Sequence, residues 1–520
     1  MGAEIFVEEK AKEFLGLYKN LTSVYWNATL TGEENKYNEV AEREIALKKF
    51  FNDKENFGKA KEFLRDEKDE VLKRQLKLLY DAYLSNQGSL DLLSEVSKKS
   101  SEVERKFNVF RADVDGKKVS DNEIKKILRD ELDSGKLERA WCGFKKVGEI
   151  VGDDVLEIVR LRNKLARSLG FENYYEFSLD VSEQKESEIF EIFDELDSLI
   201  AKPFEDLKNE IDLNLAKKFG IEVKSLKPWH YGDLFFQEAP KIYSVDLDDF
   251  YKDDILEKAR RYYESLGLSV DDILKRSSLF EAKGKYQHAY CMDMDRGGDV
   301  RTMQNLKNDE NGMSTLLHEL GHGVYWKYMS SDLPIVLRDT AHTFVTEAVA
   351  MIFGRKASNL DFVKKVCGED FDDGGIIKKI LRLEQIVFSR WTQVMFRFER
   401  ELYKNPEQNL NKVWWDLVRK YQLIDFYRDK PDWASKIHIV SSPVYYHNYM
   451  LGELLASQLH SYIMENFSVD GDSYFGSREV GDFFKEKIFR VGARYRWDEL
   501  IRRATGENLS ARFFVREFVG

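Results

Sequence analysis

Two histidines one helical turn apart, inside an apolar run, set the tightest limit on what this chain can fold into. His318-Glu319-Leu320-Gly321-His322 repeats histidine at i and i+4, which puts both rings on one face of a helix. Met313, Leu316, Leu317, Leu320, Val324 and Tyr325 surround them with apolar residues at helical spacing. Such a helix is largely buried, and buried imidazoles need partners. A single Zn²⁺ serves both, because imidazoles so placed reach it at about 2.0–2.1 Å. Glu319 then stands beside the ion rather than on it, where it can take a proton from water.

A catalytic zinc takes three protein donors and keeps a position open. The third donor must come from elsewhere, and Glu347 is the best candidate. It is the single carboxylate in the apolar helical run Thr343 to Phe353, 25 residues beyond His322. A carboxylate in such a run is neutralised, paired or metal-bound. Asp339 and His342 are rivals for the ligand role, and a salt bridge from Glu347 to Arg338 or Arg355 is the structural alternative.

Nothing in the chain marks domain boundaries. Among 520 residues there are only 7 prolines, none before Pro203, and no repeat or low-complexity tract. Apolar residues at helical spacing, as in Val40 to Phe51, Val71 to Leu84 and Ile189 to Ile200, indicate helices. The expectation is one all-α domain over residues 1–520, with residues 1–200 as a helical lid and wall and residues 201–520 carrying the zinc site. A net charge of −12 argues against a nucleic-acid surface. No apolar run reaches 18 residues, so no membrane span is expected. The acidic N-terminus lacks a signal-peptide core. The cysteines Cys142, Cys291 and Cys367 form no metal or redox motif, which fits buried thiols in a cytoplasmic protein.

All 8 histidines lie between His230 and His460, so the chemistry belongs to the second half. Lys285 to Met292 and Asp299 to Gln304 read as the legs of a hairpin around Arg296-Gly297-Gly298. A lone hairpin leaves an edge to which an extended peptide can add. Lys436 to Tyr449 gathers Lys436, His438, His447 and the tyrosines Tyr445, Tyr446 and Tyr449. Histidine or tyrosine donors there can stabilise a tetrahedral oxyanion; the bland alternative is a tyrosine-rich core loop.

With these segments in place, the chain resembles the angiotensin-converting-enzyme family of zinc peptidyl-dipeptidases. More loosely it resembles the thimet oligopeptidase and oligoendopeptidase F families. Beyond the histidine motif, the likeness rests on Asp332-Leu333-Pro334-Ile335-Val336-Leu337-Arg338 leading to Glu347-Ala348. It also rests on His288-Ala289 through Gly298, Asp299 and Arg301, on Val413-Trp414-Trp415-Asp416-Leu417 with Lys420-Tyr421-Gln422, on Lys436-x-His438-Ile439-x-Ser441-Ser442, and on Ile501 to Leu509.

The resemblance implies a helical ellipsoid split by a deep channel, with a small β-hairpin at the cleft and a lid of N-terminal helices. It implies one zinc per chain on His318, His322 and Glu347, with Glu319 as general base. His438 and Tyr449 stabilise the oxyanion, His288 and Ala289 contact the peptide backbone, and Lys436 and Tyr446 grip the substrate's C-terminal carboxylate.

The sequence also departs from that pattern. One extra residue follows His438, so either Tyr445 or Tyr446 can fill the carboxylate-binding place. Asn448 stands where the family has a chloride-binding arginine, so no chloride activation is expected. The clamp glutamine has no match around Asp246 to Phe250. Met351 replaces a carboxylate one turn beyond Glu347, leaving Asp339 to orient a ligating histidine. The expected activity is release of C-terminal dipeptides from short peptides. The alternatives are an oligoendopeptidase, a carboxypeptidase, or a non-catalytic helical protein with a structural zinc.

Overall fold

The computed structural model describes residues 2–520. Helices dominate, and the described strands form only two antiparallel two-stranded sheets, Ala112–Val114 with Lys117–Val119 and Tyr290–Asp293 with Val300–Met303. The protein is all-α, as the periodicity indicates. The three runs singled out above fall within the helices Glu34–Phe51, Glu70–Leu84 and Glu186–Phe219. No described helix is long and apolar enough to cross a membrane.

The chain divides into two compact units, each built from separate stretches of sequence. Met1–Gln87, Val245–Gly374 and Leu451–Phe513 form one unit; Gly88–Ser244, Gly375–Met450 and Phe514–Gly520 form the other.

In the first unit the helix Glu310–Lys327 carries both motif histidines. Asp309 caps it, accepting from Gly312 N at 2.7 Å. Met313, Leu316, Leu317, Leu320, Val324 and Tyr325 are all fully buried, so the motif lies in a core helix. The helix Thr343–Gly354 packs against it through glycine contacts. A Cβ on Gly321 would come within 2.8 Å of Ala350 Cα, so only glycine allows the backbones this close.

The hairpin pairs Tyr290 with Met303 and Asp293 with Val300. Its first leg starts at Tyr290 rather than Lys285. The Lys285 ammonium turns inward to the carbonyls of Ser278, Phe280 and Gln304, which pulls residues 285–289 out of strand geometry. The strand Val300–Met303 is covered on its other side, where Ser278 N donates to Thr302 O at 3.0 Å and Gln304 N to Ser278 O at 2.8 Å. Tyr290–Asp293 is the remaining edge.

In the second unit the helix Ser134–Ser168 holds the segment that contains Lys436 and His438. Gly148 lets Pro431 O approach where a Cβ would sit at 2.4 Å. Buried Arg162 donates to Ile439 O at 3.0 Å and Val440 O at 2.7 Å. Glu399 accepts from Val444 N at 2.9 Å. These bonds fix a stretch that is mostly irregular in backbone and would otherwise bury unpaired polar groups.

The three cysteines are unpaired and half-buried, more open than the sequence suggests.

Candidate metal centre and carboxylate clamp

His318, His322 and Glu347 meet in the first unit. Among the described residues they form a group whose ligand atoms all lie within 4.8 Å of one another. Glu347 Oε2 is 3.7 Å from His318 Nε2 and 3.9 Å from His322 Nε2. Two glycines seat these side chains. A Cβ on Gly354 would meet His318 Cβ at 3.2 Å, and one on Gly452 would meet Glu347 Cβ at 3.3 Å.

Burial sets the charge states. It lowers His318 to about 4 and, with His318 nearby, holds His322 well below its ordinary value, so both rings are neutral, the form that ligates metal. Burial raises the Glu347 carboxyl to about 7. The histidine–glutamate contacts are therefore not ion pairs between charged groups. His322 Nδ1 lies 2.7 Å from Thr346 Oγ1, which fixes the ring and leaves Nε2 to face Glu347.

Glu319 is buried, and its Oε2 has no hydrogen-bond partner. Desolvation, then the nearby Glu347, raises it to about 8. A partnerless acid beside two neutral imidazoles and a carboxyl is costly without a ligand. The donor set fits zinc: two imidazoles and one carboxylate, with no fourth protein ligand grouped with them among the described residues.

The rivals for the third ligand have other partners. Asp339 pairs with Arg296 at 2.5 Å and accepts from Thr340 N at 2.8 Å. It therefore does not orient a ligating histidine, and Thr346 has that place at His322. His342 caps the helix of Glu347, accepting from Phe344 N at 3.3 Å. Neither arginine pairs with Glu347. Arg355 pairs with Glu453, and Arg338 donates to the Leu333 and Ser331 carbonyls.

His288 lies exposed just before the hairpin, its ring 5.4 Å from that of Tyr286, and Ala289 beside it is half-buried.

In the second unit Lys436 Nζ donates to Gln237 Oε1 at 2.5 Å, and Tyr446 Oη reaches the same oxygen at 3.5 Å. Trp391 Nε1 donates to Tyr446 Oη at 2.8 Å. The register across the extra residue thus brings Tyr446 to the lysine. Phe235, Trp391 and Tyr446 surround the ammonium, each ring centroid 5.1–5.3 Å away. Burial lowers Lys436 to about 8.

The glutamine beside this lysine is Gln237, outside the Asp246 to Phe250 stretch. Asp233 aims it by accepting from Phe235 N and Gln237 N, both at 2.9 Å, in a turn where Phe236 has φ 50°. His438 stands beside this group, its ring 5.4 Å from that of Tyr446 and its Nδ1 buried without a partner. Burial lowers it to about 4. The Tyr449 ring is 5.3 Å from that of Tyr446.

The family profile described as Angiotensin-converting enzyme, Peptidase M2, matches residues 1–227 and 242–518. Gln237 lies in the gap. Among curated relatives, an angiotensin-converting enzyme of Haematobia irritans exigua is 23% identical over 76% of this chain and 72% of its own length. One from Oryctolagus cuniculus is 24% identical over 51% of this chain, and the match spans only 22% of that longer protein. An inactive angiotensin-converting enzyme-related protein of Caenorhabditis elegans is 23% identical over 57% of this chain and 37% of its length.

Proposed function

The chain belongs to the angiotensin-converting enzyme family of peptidases, and from that premise we propose that it is a zinc-dependent peptidyl-dipeptidase acting on short peptides. The observation that carries the zinc reading is the partnerless Glu319 carboxyl beside the donors His318, His322 and Glu347. A zinc held only for structure takes four protein ligands and has no use for such an acid.

Zinc, when bound there, supplies Lewis acidity toward the scissile carbonyl and toward water. Glu319 Oε2 takes the proton of the attacking water and passes it to the leaving amine. His438 and Tyr449 donate hydrogen bonds to the oxygen on which charge develops. The edge strand Tyr290–Asp293, with His288 and Ala289 just before it, takes the peptide backbone at its first residues, the Asp293 carbonyl already accepting from Tyr18 Oη at 2.8 Å.

Dipeptide release is supported by Lys436, Gln237 and Tyr446, a cation with two hydrogen-bonding neighbours and no carboxylate of its own in contact. That set suits a free C-terminal carboxylate, which pairs strongly with a buried ammonium. Asn448 offers no cation, so activity is independent of chloride at constant ionic strength.

Mass spectrometry of products from a mixed peptide library, with and without chelator, tests the reading. C-terminal dipeptides that vanish with chelator are expected. Equal cleavage of a peptide and its C-terminally amidated twin at the same bond would replace it with the oligoendopeptidase reading.

A further inference from the structure

Gln184 sits at a point where two ordinary rules of chain reversal are broken together. The helix Tyr174–Val181 ends with Gln184 N donating to Leu179 O and Glu183 N to Asp180 O, both at 2.9 Å. This closing motif puts one residue in the left-handed region, usually glycine, followed by one that is usually apolar. Here the left-handed residue is Glu183, at φ 56°, and the next is a glutamine only 3% exposed. The strained backbone delivers a polar side chain into the core, where an unpaired amide would be costly.

Both ends of that amide are used. Gln184 Nε2 donates to Asn448 Oδ1 at 2.8 Å, and Gln184 Oε1 accepts from His447 Nε2 at 2.8 Å. His447 and Asn448 are 2% and 4% exposed. They are the first two residues of the helix His447–Asn466, and the third is Tyr449. One side chain therefore holds two consecutive residues on different sides of the helix start and fixes the rotation of its first turn. An amide donates from its nitrogen and accepts at its oxygen, so the one side chain can serve both residues at once.

We propose that Gln184 is a positioning residue for Tyr449: it locks the first turn of its helix and so sets where the phenol points. The proposal rests on the reading of Tyr449 as an oxyanion donor. Buried polar networks that are fully satisfied specify one arrangement. A misplacement of about 1 Å in a reacting group can cost 10²-fold in rate.

The test is a double-mutant cycle on the zinc-loaded enzyme. Gln184→Met keeps the length and removes both hydrogen bonds. Expected are a fall in kcat of about tenfold to a hundredfold, an unchanged KM and unchanged zinc content. In the Tyr449→Phe background the same change should cost less than about twofold, because residues that act as a unit are not additive. Losses that multiply, or a kcat unmoved by Gln184→Met, overturn the proposal while leaving the Tyr449 reading intact. Full activity in Tyr449→Phe alone overturns that reading and the proposal with it. If Gln184→Met does not fold, Asn448→Ala removes one of the two bonds, keeps a good helix former at the helix start, and carries the same cycle.

Discussion

Gln237 accepts a hydrogen bond from Lys436 at 2.5 Å although 199 residues separate them. The lysine is 7% exposed and burial lowers it to about 8. It is cationic below that pH and neutral above it. For a peptide with a free C-terminus, KM should be flat up to about pH 8 and rise beyond it, while the amidated twin shows no such rise. The stability effect has the opposite sign. The unfolded lysine holds its proton to 10.5, so the cost of burying the cation is present below pH 8 and is relieved as pH climbs toward 10.5. A KM profile without a break near 8 for the free acid would remove Lys436 from the clamp.

Glu319→Gln keeps the size and removes the base. Zinc content and thermal midpoint should be unchanged, and kcat should fall by about 10²–10⁴. Metal analysis alongside initial rates checks this; retained activity would sink the mechanism.

Glu347→Ala should lose zinc. His318 and His322 alone leave the ion two donors short of a tetrahedral site. Full occupancy in the variant would move the third donor to another residue.

Tyr449→Phe should lower kcat by about 10²–10³ with little change in KM, as for other oxyanion donors. Tyr446→Phe should instead raise KM for free-acid peptides, because Tyr446 shares Gln237 with Lys436. Steady-state kinetics of the pair separates the roles, and an exchange of the two patterns would exchange the assignments.

The helices were legible because periodicity and burial agree in them. Val71 to Leu84 reads as a helix, and Glu70–Leu84 is one. The cluster was legible too, since i,i+4 histidines and an isolated carboxylate are local signals. Gln237 was not. It lies in an irregular loop whose shape depends on Asp233 and a left-handed Phe236, and the family profile skips that stretch. Thr346 escaped because a threonine in an apolar helix carries no mark of the imidazole it will meet. The first hairpin leg is shorter than its composition suggests, since Lys285 turns inward to carbonyls that include that of Gln304, on the far side of the hairpin.

Gly321 is a free position in the usual statement of the histidine motif, but not in this fold. Gly321→Ala should destabilise the protein by about 1–3 kcal/mol, the usual cost of overpacking, because its Cβ would meet Ala350 Cα at 2.8 Å. A lowered thermal midpoint of the metal-free protein is the readout.

Gly452 touches the Glu347 side chain from the last stretch of a unit that also needs Val245–Gly374 and the N-terminal helices. All three candidate donors have been synthesised once the ribosome passes Glu347, yet the wall behind Glu347 arrives more than a hundred residues later. During translation the nascent donors wait in an unfinished core, so metal loading should follow the emergence of Leu451–Phe513. A truncation upstream of Leu451 should yield a chain that contains every donor and holds no ion.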